Sequence, residues 1–118
     1  MRVFFYLGTC DICKRILKQL PLPEDVVKID IKKNPLTPSQ LATLHSHTGS
    51  YEALLNKRAQ LIKQRGLAIQ VLSENEIKRL LLEHYTFLKR PVLLFDEKIF
   101  IGNGAKTIVE ALQFLNER

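Results

Sequence analysis

The chain has 118 residues, of which 46% are hydrophobic and 25% charged, a composition typical of one compact globular domain with its own core. No apolar run approaches the length of a bilayer span and the first residues carry no signal-peptide pattern, so we expect a cytoplasmic protein that does not enter a membrane. The net charge of +6 indicates anionic partners, but the basic residues are spread along the chain, and no aromatic-basic motif predicts direct nucleic-acid binding.

The first predicted element is a buried strand over residues 3–7, where most side chains are aromatic or β-branched. A helix follows, because apolar residues recur at helical spacing before a proline ends the segment. These residues are Ile12, Ile16, Leu17 and Leu20, with Pro21 after them. Cys10 and Cys13 therefore lie at a strand-to-helix turn, with Cys10 near the helix N-terminus.

The position and spacing of the two cysteines predict redox chemistry. The free N–H groups and the positive dipole end of a helix N-terminus favour a thiolate at Cys10. Lys14 and Arg15 add positive charge, which also lowers the pKa of a thiol. Cys13 lies one helical turn further along the same side. The pattern is typical of a nucleophilic cysteine with a second cysteine that resolves its mixed disulfide.

Other interpretations of the cysteine pair stay open. The thiols are inert in one of them, although a disulfide across so short a loop would stabilise the fold little. A zinc site would need two further ligands, and the only histidines that come as a pair, His45 and His47, lack the usual zinc-knuckle spacing. We expect no metal site, and in a reducing compartment a C-x-x-C pair is more often catalytic or redox-sensing than structural.

A second strand is predicted over residues 27–31, where apolar and charged residues alternate. It would run parallel to the first strand through a right-handed crossover. A helix start follows, because Thr37 and Gln40 form a capping box with Pro38 in the first turn. Gly49 is suited to end this helix.

Further helices are expected before the chain returns to strands. One covers about residues 51–65 and ends at a glycine. The next begins at a second capping box, Ser73 with Glu76, and carries an apolar stripe that extends to Leu88. His84 lies on this stripe, so we interpret it as packed against the core rather than as a ligand.

The last predicted elements are a strand at residues 91–95, a turn at 96–98, a partner strand at 99–101 and a helix over 105–115. The order β-α-β, then helices, then β-β-α is that of a thioredoxin-like α/β fold. We predict a single domain over residues 1–118 with a helical insertion at about residues 37–88.

Several motifs along the chain resemble one known family. They are Cys10-Asp11-Ile12-Cys13, Thr48-Gly49-Ser50, Leu54-Leu55-Asn56-Lys57-Arg58, the run from Lys89 to Lys98 with its Arg-Pro and Asp-Glu-Lys segments, and Ile101-Gly102. Together they resemble the bacterial arsenate reductase-related family, which also contains the Spx regulators, over essentially the whole chain.

The resemblance implies roles for individual residues. Cys10 matches the nucleophile of the family and Arg90 the arginine beside it, where a guanidinium would neutralise a thiolate or hold an oxyanion. The proline that matches Pro91 is expected to be cis. Thr9, Arg58 and Pro91 are the candidate substrate-binding residues. On the residues alone, Arg90 is equally well a surface charge.

The resemblance to arsenate reductases is incomplete around the oxyanion. Those enzymes resemble one another in having a lone nucleophilic cysteine and three arginines, whereas this chain has a second thiol at Cys13. The third arginine position falls at Gly102 or Asn103, which carry no charge. Each missing charge-assisted contact removes roughly 1.5–3 kcal/mol, so we expect arsenate to bind poorly.

We therefore expect a monomeric thiol–disulfide oxidoreductase that uses Cys10 and Cys13 and holds no cofactor. Its partners would be a disulfide substrate and a thiol reductant, such as glutathione, a glutaredoxin or a thioredoxin. One alternative is an Spx-like redox-sensing regulator that binds the RNA polymerase α subunit at Gly49, although a helix C-cap also explains this glycine. A true arsenate reductase, or an interaction module with idle cysteines, are the others.

Overall fold

A computed structural model describes residues 1–118, and these form two compact units. The first comprises Met1–Asn34 with Arg90–Arg118, and the second comprises Pro35–Lys89. The organisation as one domain with an insertion stays a prediction. None of the helices has both the length and the apolar character needed to cross a membrane.

The helices and strands occur in the following order along the chain: β1 (Arg2–Tyr6), α1 (Asp11–Gln19), β2 (Val27–Asp30), α2 (Pro38–Thr48), α3 (Gln60–Gln64), α4 (Glu74–Glu83), β3 (Val92–Phe95), β4 (Lys98–Ile101) and α5 (Ala105–Glu117). Short 3-10 turns lie at Glu52–Leu54, Ile69–Val71 and Tyr85–Phe87.

The first unit contains the whole sheet, in the order β2-β1-β3-β4. Strand β1 is parallel to β2 and antiparallel to β3, and β4 is antiparallel to β3. Helix α1 connects the parallel pair and α5 follows β4. This arrangement confirms the predicted thioredoxin-like α/β fold, and it brings the C-terminal end of β1 to the cysteine turn.

The core of the first unit lies between the central strands and helices α1 and α5. Phe4 of β1 and Leu93 of β3 pack with Ile16 of α1 and Leu115 of α5, and all four are buried. Burying each such side chain contributes roughly 1.5–3 kcal/mol to folding. Because Ile16 follows the two cysteines on α1, this packing also fixes the helix that carries them.

The N-terminus of β1 is held at the β3–β4 turn by ionic contacts. The Arg2 guanidinium donates to Asp25 Oδ2 at 2.6 Å and to Asp96 Oδ2 at 3.0 Å. It also lies 4.2 Å from the centre of the Phe95 ring, over which the Arg118 guanidinium lies at 4.9 Å. The two chain ends of this unit therefore meet at the hairpin turn, at the end of β1 remote from Cys10.

The second unit is built of short helices whose starts agree with the sequence patterns. Both capping boxes are formed, with Thr37 Oγ1 accepting from Gln40 N at 3.1 Å and Ser73 Oγ accepting from Glu76 N at 3.1 Å. Gly49 ends α2 in the left-handed region at φ 70°, as its reading as a helix C-cap predicted.

The predicted continuous helix over residues 51–65 is wrong. Its first part is a 3-10 turn, and the chain is extended at Leu55, which forms a β-bridge with Leu88. Asn56 then starts a turn, because its Oδ1 accepts the backbone N–H of Arg58 at 3.2 Å and its own N–H donates to Phe87 O at 2.8 Å. Contacts with a distant segment thus outweigh the local helical pattern.

The helix predicted to extend towards Leu88 is also shorter than expected. Helix α4 ends at Glu83, and His84 has an extended backbone at φ −153° and ψ 141°. The His84 Nδ1 accepts from the Thr86 N–H at 3.0 Å, and its ring stacks on Tyr85 with a centroid separation of 4.4 Å. His84 therefore caps the 3-10 turn that follows, while Ile77 and Leu80 of the predicted stripe are buried as expected.

Candidate active site

Cys10 lies at the turn between β1 and α1. It is the N-cap residue of α1, with an extended backbone at φ −95° and ψ 115°. Its N–H donates to Leu7 O at 3.0 Å, and its carbonyl accepts from Lys14 N at 3.1 Å. The turn is therefore closed by the backbone alone, and the sulphur stays at the helix N-terminus, partly exposed to solvent.

The surroundings of Cys10 favour its thiolate. Partial burial opposes ionisation, but interactions with the backbone and side chain of Cys13, the N–H of Ile12 and the charge of Arg90 outweigh it and lower the pKa of Cys10. The side chain makes no standard capping hydrogen bond. The helix N-terminus nevertheless stabilises the anion, as the sequence predicted.

Cys13 has the opposite character. It is fully buried, and this burial is the largest cause that raises its pKa to about 11; the adjacent Cys10 raises it further. The backbone of Leu7 and the charge of Arg90 favour its thiolate but do not compensate. Both cysteines are free thiols. The pair thus combines an accessible sulphur that ionises readily with a buried one that keeps its proton.

Arg90 is the charged residue of the site. It is half-buried at the residue before β3, and its charge lowers the pKa of Cys10 and opposes the raised pKa of Cys13. The Arg90–Pro91 peptide bond is cis, which confirms that expectation. Pro91 is buried, and its carbonyl accepts the Gly102 N–H at 2.8 Å.

The other predicted charges near the cysteines face solvent. Lys14 and Arg15 are exposed, and Lys14 Nζ lies 3.8 Å from Oδ1 of Asp11 in an ion pair. Their predicted effect on the pKa of Cys10 stays a prediction. Thr9 is exposed directly before Cys10, where its hydroxyl is accessible to an incoming substrate.

The remaining predicted site residues belong to the second unit. Arg58 is exposed in the turn that Asn56 starts, and Gly49 is exposed at the end of α2. Their roles in substrate or partner binding stay predictions. Gly49 has no heavy atom within 4 Å of the position that a Cβ would occupy.

One neighbour of the cysteine turn was missed by the sequence analysis. A Cβ built on Gly8 would lie 2.3 Å from Oδ2 of Asp30, at the end of β2. The signal was a glycine between a buried strand and the C-x-x-C segment, since glycine at such a position often marks a close approach. Its partner depends on strand register, which pairs Tyr6 with Asp30.

Nowhere does the chain bring together three or more His, Cys, Asp or Glu side chains that could hold a metal ion. The chemistry available at this site is therefore that of its own two thiols. An anionic sulphur at Cys10 can attack an electrophilic sulphur, and a second thiol lies one helical turn away.

The comparisons with known proteins agree with this fold and site. The sequence model of the ArsC family matches residues 5–111. The thioredoxin-like fold and the strand-to-helix C-x-x-C define a protein of the arsenate reductase-related class. The chain belongs to the ArsC family.

Individual relatives cover most of the chain at low identity. The chain is 27% identical over 105 residues to global transcriptional regulator Spx 2 of Bacillus anthracis, covering 86% of this chain and 79% of the regulator. A crystal structure of a possible arsenate reductase from Streptococcus mutans is 30% identical, with a TM-score of 0.63 over 84% of this chain and 87% of that one.

A third relative supports the fold alone. The solution structure of an arsenate reductase (ArsC) related protein from Brucella melitensis is 24% identical, with a TM-score of 0.66, and the match covers 89% of this chain and 88% of that chain. The chain is thus similar both to a transcriptional regulator and to proteins described by their relation to arsenate reductase. Family membership alone does not select between these activities.

Proposed function

We propose that this protein is a thiol–disulfide oxidoreductase in which Cys10 is the nucleophile and Cys13 the resolving thiol. The observation that carries the proposal is the contrast between the two sulphurs: Cys10 is partly exposed with a lowered pKa, and Cys13 is buried with a pKa of about 11. A solvent-borne disulfide meets Cys10 first, and that sulphur is the one that ionises at neutral pH.

The reaction takes place in two exchanges. The Cys10 thiolate attacks one sulphur of a substrate disulfide, so that a Cys10–substrate bond forms and the other substrate sulphur leaves as a thiolate. Cys13 then loses its proton and attacks the Cys10 sulphur, which forms the Cys10–Cys13 disulfide and releases the second substrate thiolate. The substrate gains two electrons, and an external thiol reductant restores the pair.

The first exchange also prepares the second. The neighbouring Cys10 is one cause of the raised pKa of Cys13. In the mixed disulfide Cys10 carries no negative charge, so this contribution disappears while the charge of Arg90 and the Leu7 backbone still favour the Cys13 thiolate. Cys13 therefore becomes more acidic at the step where it must react.

The test traps the mixed disulfide. In a Cys13→Ser variant the first exchange proceeds and the second cannot, so tagged protein from a lysate should retain disulfide-linked partners that a reductant elutes. Cys10→Ser is the matched control and should retain none. Equal recovery from both variants would refute the assignment of Cys10 as nucleophile.

A second candidate is a redox-sensing transcription regulator, favoured by the 27% identity to Spx 2. The same cysteine pair would then report the redox state, and the RNA polymerase α subunit would be the partner. Polymerase should be recovered with wild type, Cys10→Ser and Cys13→Ser alike, without reductant in the elution.

The exposed Gly49 provides a specific test of the regulator. Gly49→Arg would place a large charged side chain at an open position, whereas Gly49→Asn adds a small one and tolerates the left-handed backbone at φ 70°. Loss of polymerase with arginine but not with asparagine would support the regulator. Unchanged recovery with both would exclude Gly49 from the contact.

A further inference from the structure

The chain approaches itself most closely at Gly8, immediately before the cysteine turn. A Cβ at this position would lie 2.3 Å from Oδ2 and 3.2 Å from Cγ of Asp30. A contact below 3 Å between these atoms is far inside van der Waals distance, so any larger residue at Gly8 must displace either the carboxylate or the turn.

The Asp30 carboxylate is held in place from several sides. Asp30 is paired with Tyr6 in the β1–β2 register, and the next N–H, from Ile31, donates to Tyr6 O at 2.9 Å. Its Oδ1 accepts the Lys32 N–H at 3.1 Å, and its carbonyl accepts the Asn34 N–H at 2.9 Å. With the backbone fixed by the sheet and one oxygen bonded, Oδ2 is directed at Gly8.

The turn on the other side of this contact determines where Cys10 lies. Gly8 and Thr9 are its central residues, and the Cys10 N–H closes it on Leu7 O at 3.0 Å. The thiolate of Cys10 is stabilised by N–H groups at the start of α1, and such interactions weaken steeply with distance and angle. A small shift at Gly8 therefore changes the stabilisation of the Cys10 anion.

We infer that Asp30 is a positioning residue for Cys10, acting through its contact with Gly8. The carboxylate forms a fixed surface over which the turn passes, and only the absence of a side chain at Gly8 lets the turn pass closely enough to place the sulphur at the helix N-terminus. The inference rests on the proposed function, since it concerns the thiolate that the proposed reaction uses.

The experiment measures the rate of Cys10 alkylation by iodoacetamide against pH, in a Cys13→Ala background so that one thiol reports. Gly8→Ala should raise the Cys10 pKa and slow alkylation at neutral pH by at least about threefold, the change that half a pKa unit produces. The matched control is Gly104→Ala, where the nearest atom to the new Cβ would be Thr107 Oγ1 at an ordinary 3.8 Å.

The double variants show whether Asp30 is the obstacle. Gly8→Ala with Asp30→Ala should recover the profile of Asp30→Ala alone, because the clashing atoms are gone. Gly8→Ala with Asp30→Asn keeps a side chain of the same shape and should stay as slow as Gly8→Ala. If both double variants are equally slow, or if Gly8→Ala has the profile of the background, the inference is wrong.

Two further outcomes are also decisive. If Gly8→Ala does not fold, a folded Gly8→Ala/Asp30→Ala variant with a recovered profile supports the inference, and a double variant that also fails to fold overturns it. An ordinary thiol pKa for Cys10 in the Gly8 background would instead contradict the proposed function, whereas a lowered pKa that Gly8→Ala leaves unchanged contradicts only the role of Asp30.

Discussion

Replacing Cys13 with alanine should remove a loss of stability that the wild-type protein shows at alkaline pH. Burial and the neighbouring Cys10 raise the pKa of Cys13 from 9.0 to about 11 in the folded protein, while the unfolded chain has the ordinary value. Between these two values the unfolded state binds fewer protons than the folded state. Raising the pH therefore favours unfolding, and the stabilisation, fully present below pH 9, is lost towards pH 11.

The magnitude follows from the size of the pKa difference. One proton contributes about 1.4 kcal/mol per pH unit, so a difference of two units corresponds to roughly 3 kcal/mol of unfolding free energy. Urea unfolding at several pH values from about 8 to about 11, with a phosphine reductant to keep both thiols reduced, gives this slope. Lysine and tyrosine titrate in the same range, so the informative quantity is the difference between wild type and Cys13→Ala.

A Cys10→Ala variant separates the causes of the shift. It removes the neighbouring thiolate but leaves the burial of Cys13, which is the larger cause, so the alkaline slope should become smaller without disappearing. If the difference in stability between wild type and Cys13→Ala is constant across the pH range, Cys13 does not keep its proton in the folded state. The resolving role assigned to a buried, protonated thiol would then have no basis.

Three other predictions concern the charges of the site and the second unit. Arg90→Gln should raise the pKa of Cys10, seen as an alkylation profile displaced to higher pH, and Lys89→Gln should not; equal displacement by both would mean that only diffuse positive charge matters. Arsenate should be reduced weakly or not at all with glutathione and glutaredoxin, because Gly102 and Asn103 carry no charge, and rapid turnover at micromolar arsenate would contradict this. Asn56→Ala should lower the unfolding free energy by roughly 1–2 kcal/mol, since its side chain holds Arg58 N–H and donates to Thr86 O, whereas the exposed Gln64→Ala should leave it nearly unchanged.

Features of the fold that depend on neighbours in sequence were predictable. The capping boxes at Thr37 and Ser73 are set by side chains three residues away, and both are formed as predicted. The β-α-β order and the hairpin near the end of the chain follow from hydrophobic patterns and turn residues. Local rules were sufficient here because no distant contact opposes them.

The errors occur where distant segments meet. The helix predicted over residues 51–65 is interrupted because Leu55 bridges to Leu88 and Asn56 bonds to Phe87. Helix α4 ends early because His84 caps the next turn instead of continuing the stripe. In both places hydrogen bonds outside the helix replace those that a longer helix would make, and periodicity alone does not contain this information.

The site divides in the same way. The place of Cys10 at the start of α1 was readable from the strand pattern before it and the helix pattern after it. The contact between Gly8 and Asp30 was not, because it depends on the register of β1 against β2. The roles of Arg58 and Gly49 rest on the family resemblance, and only the experiments above address them.

The central position of β1 has a consequence for synthesis on the ribosome. Strand β2 and helix α1 follow β1 closely in sequence, but β3 forms its other edge, and the Arg2–Asp96 contact joins residues 94 positions apart. Until the chain reaches Phe95, the nascent β1 has an open apolar edge containing Val3 and Phe5. Such an edge can pair with other chains, so we expect the time between translation of β2 and of β3 to be the interval in which this protein most needs a chaperone.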